Sequence, residues 1–242
     1  MTTSSLQFKD AKDRLAVALD VPDSQAALNL VERLGDSCRW LKVGMELYYA
    51  GGNPLLAELR SRGYRIFLDL KLHDIPNTVA GGIRSVATAG AELLTVHAAG
   101  GPAMLTAAAE AANVPGAPRL LAVTVLTSMD AAELKAAGVC SAPADQVLRL
   151  ARLAKSAGIN GVVCSAEEVA ALRSELGPEA LLVVPGIRPA GLGNNDQRRI
   201  ATPAEAISSG ASMLVVGRPI TRAADPAEAA RAIVKAIESA KG

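Results

Sequence analysis

Aromatic side chains are scarce in this sequence, which has one tryptophan, three tyrosines and two phenylalanines among 242 residues. Half of the residues are nevertheless hydrophobic, so a chain of this length has enough apolar surface for a sizeable core. We therefore expect an aliphatic core built from valine, leucine, isoleucine and alanine.

An excess of either charge is also missing, because 25 basic and 24 acidic residues leave a net charge of +1. Neither sign forms a block along the chain, which argues against nucleic acid or a membrane surface as a partner. No apolar run approaches the roughly 20 residues needed to cross a bilayer. The polar segment 1–12, expected to be an N-terminal extension, lacks the apolar core of a signal peptide.

Thiols and imidazoles are few. Cys38, Cys140 and Cys164 are widely spaced and form no Cys-x-x-Cys pair. An odd number of isolated cysteines favours reduced thiols in a cytoplasmic protein. Only His73 and His97 are available as imidazole ligands, so no metal site is expected.

The sequence does contain a regular succession of apolar runs and helical segments. Eight runs have strand length, and most are continuous, which is typical of strands buried on both faces of a parallel sheet. They are Leu15–Asp20, Trp40–Leu47, Arg65–Leu72, Leu93–Ala98, Arg119–Thr127, Gly161–Ser165, Leu181–Ile187 and Met213–Arg218. Eight strand–helix units predict an α/β protein with one domain over residues 1–242, a (β/α)8 or TIM barrel. A doubly wound open sheet is the alternative.

Residues typical of helix ends support this architecture. Predicted helix starts carry capping residues, and three of them have proline at the first helical position: Ser24, Asn53-Pro54, Ser165, Thr202-Pro203 and Asp225-Pro226. Glycines shortly before the next strand mark the predicted helix ends, at Gly35, Gly63, Gly90, Gly158, Gly177 and Gly210.

Active sites of such barrels lie at the carboxyl ends of the strands. Strand ends that only pack should be apolar, but here they carry mostly polar and charged residues. These residues are Asp20, Lys42, Asp69, Lys71, Asp74, Thr127, Ser128, Gly186, Arg188, Gly217 and Arg218. The sequence therefore predicts an active site at this end of the barrel.

The densest group of charges lies in the segment 69–78. Residues two apart on a strand share a face and neighbouring strands lie about 4.8 Å apart, so Asp69 and Lys71 should meet Lys42. Buried charges need partners, and a Lys–Asp–Lys–Asp array completed by Asp74 keeps all four ionised, although a purely structural ion-pair network is the alternative. Asp74 lies past the strand on a loop, so two placements stay open: it faces away from the array, or it reaches into a neighbouring subunit. For His73 a structural hydrogen bond is favoured over proton transfer.

Two loops have features of a phosphate site. At the end of the eighth strand, Gly217 allows close backbone approach and Arg218 offers a bidentate donor, with an ordinary turn as the alternative. The loop 185–197 is rich in glycine, proline and asparagine, carries Arg188 and Gln197, and is expected to close as a lid over a ligand.

Three further polar residues suit a nucleotide. Asp20, at the end of the first strand, is suited to accept hydrogen bonds from sugar hydroxyls. Thr127 and Ser128, after the fifth strand, are suited to the polar edge of a base.

The segment Asp69-Leu-Lys-Leu-His-Asp-Ile-Pro-Asn-Thr78 resembles the D-x-K-x-x-D-I-P-x-T signature of the orotidine 5′-phosphate decarboxylase family. The resemblance extends to the segments Ala18–Asp20, Lys42–Gly44, Val125–Ser128, Pro185–Pro189, Asp196–Gln197 and Val216–Pro219. It implies decarboxylation of orotidine 5′-monophosphate to uridine 5′-monophosphate in pyrimidine synthesis, by a homodimer without metal or organic cofactor.

The resemblance also implies a role for each site residue. Lys71 would protonate C6 of the pyrimidine after CO2 leaves, and Asp69 would lie beside the departing carboxylate. Asp74 and Thr78 would be contributed by the partner subunit. The remaining contacts would be Asp20 and Lys42 to the ribose, Thr127 and Ser128 to the base, and Arg188, Gln197, Gly217 and Arg218 to the 5′-phosphate.

Two other functions remain open from the sequence. A metal-dependent sugar-phosphate lyase or synthase, such as 3-keto-gulonate 6-phosphate decarboxylase, resembles this family in its D-x-K-x-x-D core but needs Mg²⁺ for an enediolate. A non-catalytic nucleotide- or phosphate-binding barrel is the second. A protein that only binds an anionic ligand, however, has no need for a buried carboxylate, whose charge has the same sign as the ligand.

Overall fold

Eight parallel strands close into a barrel in the structure, a computed structural model that describes residues 8, 10–189 and 201–240. The strands are β1 Leu15–Ala18, β2 Trp40–Gly44, β3 Arg65–Leu72, β4 Leu93–His97, β5 Arg119–Val123, β6 Gly161–Val163, β7 Leu181–Val184 and β8 Met213–Val216. They follow one another around the barrel in chain order, and β8 pairs with β1. The predicted (β/α)8 barrel is confirmed, and the open sheet is excluded because the ring closes.

Helices connect the strands and cover the outside of the barrel. Within the described ranges they are α1 Ser24–Leu34, α2 Met45–Ser61, α3 Pro76–Ala87, α4 Gly101–Ala111, α5 Ala131–Ala136, α6 Pro143–Ser156, α7 Val169–Leu176, α8 Pro203–Ser208, α9 Arg218–Thr221 and α10 Pro226–Ser239. Short 3-10 turns lie at Lys12–Arg14, Gly35–Ser37, Ala98–Gly100 and Ala166–Glu168. Among these helices none has the length and apolar character to cross a membrane.

The last helix shows why these segments form helices. In α10, Ala230, Ile233, Val234 and Ile237 are buried, and their spacing places them on one helical face toward the barrel. Asp225 caps this helix, because its carboxylate accepts a hydrogen bond from the Glu228 backbone at 2.9 Å. The helix start predicted at Asp225-Pro226 is confirmed.

Strand starts were predicted correctly, but seven strands end earlier than predicted. Among the first four strands, the predicted and observed ends differ most in the run Trp40–Leu47. There β2 ends at Gly44 and the following residues begin α2. An apolar run alone does not distinguish a strand from the first turn of a buried helix. Gly52 (φ 57°, ψ −157°) interrupts α2, so its second half begins at Asn53-Pro54 as predicted.

Two of the few aromatic side chains occupy the inside of the barrel. Trp40 and Phe67 are buried there among aliphatic residues of the other strands, whereas the layer between barrel and helices has no aromatic residue among its buried members. The aliphatic core predicted from composition is thus correct for the outer layer only. Large side chains fill the wide interior of the ring.

Candidate active site

Lys42 and Asp69 lie one layer above the aromatic residues of the barrel interior. Each follows a buried aromatic residue, Trp40 or Phe67, by two positions on the same strand, and alternate residues of a strand share a face. Lys42 Nζ lies 3.7 Å from Asp69 Oδ2, and both side chains are largely shielded from solvent. The contact predicted from alternation is present.

Lys71 reaches the same carboxylate along an irregular backbone. Its Nζ atom lies 2.8 Å from Asp69 Oδ2. Its φ of 50° is the only positive value at a non-glycine residue in the part of the chain that the structure describes. A left-handed backbone costs about 1–2 kcal/mol at a residue with a Cβ, and such outliers concentrate at functional sites. The contact between the two residues was predicted, but the regular alternation used to predict it does not hold at Lys71.

The charge state of Asp69 follows from these contacts. Burial by itself would raise the pKa of its carboxyl group, but the charges of Lys42 and Lys71, with hydrogen bonds from Lys71 and Thr95, hold that pKa below its usual range. Asp69 is therefore a carboxylate at neutral pH, although its side chain is only 14% exposed. A second anion placed beside it would experience repulsion that protonation does not relieve.

Asp20 extends the array toward solvent. Lys42 Nζ donates to Asp20 Oδ1 at 3.0 Å, and the Asp20 side chain is 60% exposed. A Cβ on Gly217 would lie 3.3 Å from Asp20 Oδ2, so the ends of β8 and β1 meet at this carboxylate. Within one chain the alternating charges are Asp20, Lys42, Asp69 and Lys71.

Asp74 does not join this array within one chain. Its carboxylate accepts a hydrogen bond from the Ile75 backbone at 2.6 Å, and no ion pair connects it to Lys71 among the described residues. The whole segment 73–78 is exposed, including Thr78 in the first turn of α3. The Lys42–Asp69–Lys71–Asp74 array predicted from sequence is thus incomplete in a single subunit.

Thr95 is a site residue that the sequence reasoning missed. It is fully buried, its hydroxyl donates to Asp69 Oδ1 at 2.9 Å, and it accepts the Lys71 backbone N–H at 2.8 Å. A signal was available, because Thr95 interrupts an apolar run two positions after Leu93, on the face that points into the barrel.

The two histidines lie together, which was also not predicted. The ring centroids of His73 and His97 are 5.4 Å apart. Burial lowers the pKa of His97, and the nearby His73 and Lys71 lower it further against the opposing charge of Asp69. His97 is therefore neutral at neutral pH.

The predicted phosphate residues lie after the last two strands. Arg188 is buried, its Nη1 donates to the Ile187 carbonyl at 2.9 Å, and its Nε atom has no hydrogen-bond partner among the residues described. Burial lowers the pKa of Arg188 and the charge of Arg218 lowers it further, so the two guanidinium groups are near enough to repel each other. Gln197 and the rest of the predicted lid beyond Pro189 lie outside the described residues.

The remaining predicted residues lie at the same end of the barrel. Thr127 and Ser128 form a turn after β5, the first half-buried and the second exposed. Gly186 adopts a φ of 75° after β7. Across the described ranges no group of three or more histidine, cysteine or acidic side chains is arranged to hold a metal ion. Cys38 and Cys164 are buried, and Cys140 is exposed.

The closed barrel, with Lys42 and Asp69 enclosed at the carboxyl ends of its strands, defines an enzyme of the (β/α)8-barrel class. Within that class, the chain belongs to the family described as Orotidine 5′-phosphate decarboxylase / HUMPS, which matches residues 13–233.

Individual relatives are similar over nearly the whole chain. A protein of Methylobacterium sp. (strain 4-46) named orotidine 5′-phosphate decarboxylase is 53% identical over 231 residues, which are 95% of this chain and 97% of that one. A protein of the same name from Anaeromyxobacter sp. (strain K) is 54% identical over 225 residues, or 93% and 98% of the two chains. The crystal structure of orotidine 5′-phosphate decarboxylase from Lactobacillus acidophilus matches with a TM-score of 0.82 and 42% identity, covering 92% and 98% of the two chains.

Proposed function

We propose that this protein decarboxylates orotidine 5′-monophosphate to uridine 5′-monophosphate, a step of pyrimidine nucleotide synthesis in the cytoplasm. One observation carries the proposal. Two lysine ammonium groups meet one buried, ionised carboxylate inside a barrel whose relatives, more than 50% identical, bear the name of this activity.

The reaction requires charge at a defined point. When the bond from C6 to the carboxylate breaks, both electrons stay on C6 in an sp2 orbital outside the ring π system. No delocalisation stabilises that pair, so placed charge must do so. Lys71 Nζ is the proposed donor: its ammonium favours the developing negative charge and then transfers a proton to C6. The lysine regains its proton from water, and the atoms balance as substrate plus H⁺ giving product plus CO2.

Asp69 is the proposed neighbour of the substrate carboxylate. Its contacts with Lys42 and Lys71 keep it ionised, so it repels a second carboxylate until CO2 departs. Binding energy from the distant phosphate offsets this repulsion. Contacts far from C6 should for that reason affect turnover as well as binding.

We assign the phosphate to Arg188, Arg218, the Gly217 backbone and Gln197. Arg188 is buried and its Nε has no hydrogen-bond partner in the described part of the chain, and the charge of Arg218 is nearby; both observations support an anion there. Asp20 and Lys42 are assigned to the ribose, supported by their contact and the exposure of Asp20. Thr127 and Ser128 are assigned to the base.

We further propose a homodimer in which Asp74 and Thr78 complete the site of the partner subunit. Both are exposed in one chain, and Asp74 lacks an ion-pair partner among the described residues. Exposed apolar side chains accompany them after the neighbouring strands β2 and β3: Met45, Tyr49 and Ile75 are 43%, 76% and 66% exposed. Such apolar exposure is typical of a surface that another subunit covers.

The experiment is to follow the ultraviolet absorbance of orotidine 5′-monophosphate mixed with the purified protein. We expect turnover that survives EDTA. Absence of turnover rejects the proposal. Turnover of a sugar phosphate that EDTA abolishes identifies the metal-dependent branch of this barrel class instead, and binding of the nucleotide without turnover identifies a binding protein.

A further inference from the structure

The strand that carries Asp69 and Lys71 does not pair regularly with its neighbour. Leu68 pairs with Leu94 and Leu72 pairs with Val96, so residues 69–71 of β3 lie opposite the single residue Thr95 of β4. The extra residues form a bulge, and bulges next to active sites redirect side chains. Lys71 lies in this bulge with its left-handed φ of 50°.

One hydroxyl group links both functional residues of the bulge. The Lys71 backbone N–H donates to Thr95 Oγ1 at 2.8 Å, and Thr95 Oγ1 donates to Asp69 Oδ1 at 2.9 Å. The direction of both bonds is set by chemistry, because a backbone N–H only donates and an ionised carboxylate only accepts. The Thr95 hydroxyl therefore donates its single proton to the Asp69 carboxylate and accepts the hydrogen bond from the Lys71 backbone with a lone pair.

The two oxygens of Asp69 thereby have separate partners. Oδ1 accepts from Thr95, while Oδ2 lies 2.8 Å from Lys71 Nζ and 3.7 Å from Lys42 Nζ. Without the hydroxyl, Oδ1 would be free to turn and share the ammonium groups with Oδ2. The orientation of the carboxylate plane therefore depends on Thr95.

We propose that Thr95 is a positioning residue for the decarboxylation, holding the strained Lys71 backbone and the Asp69 carboxylate in one geometry through its hydroxyl. The inference rests on the proposed function and deepens it. Thr95 itself lies fully buried beneath Asp69 and acts through Lys71 and Asp69 rather than on the substrate.

The test compares Thr95→Val, which keeps the shape and removes the hydroxyl, with Thr95→Ser, which keeps the hydroxyl. Displacement of a reacting group by an ångström costs about 100-fold in rate, so Thr95→Val should lower kcat by about that factor. Its KM should stay within about threefold, because binding contacts to the rest of the nucleotide are untouched. Thr95→Ser should recover most of the lost turnover.

Thr124→Val is the matched control. Thr124 is also buried, and its hydroxyl donates to the Val163 carbonyl at 2.8 Å without contacting Asp69. We expect its kcat to match the unmodified protein. Equal losses in both valine variants, or equal activity of Thr95→Val and Thr95→Ser, would show that the Thr95 hydroxyl has no positioning role.

Amide exchange of Lys71, followed by NMR without substrate, tests the bond directly. It should be faster in Thr95→Val than in the unmodified protein and Thr124→Val, and unchanged exchange overturns the inference. An inactive unmodified protein would instead reject the proposed function, and the role of Thr95 with it. An active unmodified protein with fully active Thr95→Val rejects the role of Thr95 alone.

Discussion

Charged side chains lie at both ends of the barrel, and each end satisfies them differently. At the amino end, Arg65 lies 4.1 Å from the centroid of the Trp40 ring, and its Nη2 atom is 2.6 Å from Glu92 Oε2. Arg39 Nη1 lies 2.9 Å from Asp13 Oδ2. Both guanidinium groups therefore have a close carboxylate partner within the chain, and Arg65 also lies over an aromatic face.

At the carboxyl end, one oxygen of Asp69 serves the ammonium groups of both Lys42 and Lys71. Lys71 has a strained backbone, and Arg188 Nε lacks a partner within the described ranges. Such an arrangement has no advantage for stability alone, because apolar side chains of similar volume would be as stable. The difference teaches that the charges at the amino end pair within the chain, whereas those at the carboxyl end suit the ligand that we propose.

The largest effect is expected from Lys71→Ala. It removes the proposed proton donor, so kcat should fall by at least about 1,000-fold while the protein stays folded. Turnover of orotidine 5′-monophosphate and circular dichroism measure the two properties. Substantial retained activity would remove Lys71 from the role of donor.

A mixing experiment tests whether the carboxyl end needs two subunits. Inactive Lys71→Ala and Asp74→Asn chains, dissociated and recombined in equal amounts, should regain about a quarter of the normal activity, because half of the dimers have one intact site. Activity before and after mixing is the measurement. Heterodimers that form but remain inactive would place Asp74 in the same site as Lys71 of its own chain.

A smaller effect is expected from Arg188→Ala, at the proposed phosphate end of the site. Loss of a charge-assisted hydrogen bond is worth about 1.5–3 kcal/mol, which corresponds to about 10- to 160-fold in kcat/KM. Steady-state kinetics measure it. If the loss is the same for the nucleoside orotidine, which has no phosphate, Arg188 does not bind the phosphate group.

The smallest effect on activity is expected at the amino end. Arg65→Ala removes the ion pair with Glu92 and the contact with Trp40, and should lower the free energy of unfolding by about 1–2 kcal/mol. Its kcat should be unchanged when measured well below the unfolding temperature. A large fall in kcat with unaltered stability would contradict the division between the two ends.

Much of the fold could be predicted from local patterns. Continuous apolar runs located the start of every strand, because each strand is buried on both faces. Some predicted strands extended past their observed ends, for example at Met45, because the apolar residues of the following helix cannot be told from strand residues in the sequence. The contact of Lys42 with Asp69 was predictable because alternation along a regular strand is strict.

The rest of the site could not be derived in this way. The bulge at Lys71 depends on how β3 pairs with β4, and nothing in residues 69–71 alone specifies that three residues face Thr95. The approach of Arg188 to Arg218 depends on how the last two strands lie next to each other. Pairing between distant segments is a property of the packed chain rather than of its local pattern.

The sequence by itself determined the number and order of the strand–helix units and the side of each regular strand that carries charge, because both follow from short-range periodicity. Only the tertiary structure decided that the ring closes, which brings Asp20 of the first unit beside Gly217 of the last. It also decided which oxygen of Asp69 faces the lysines. Closure and bulging are settled by interior packing and by the pairing of buried polar groups, which join residues far apart in the chain.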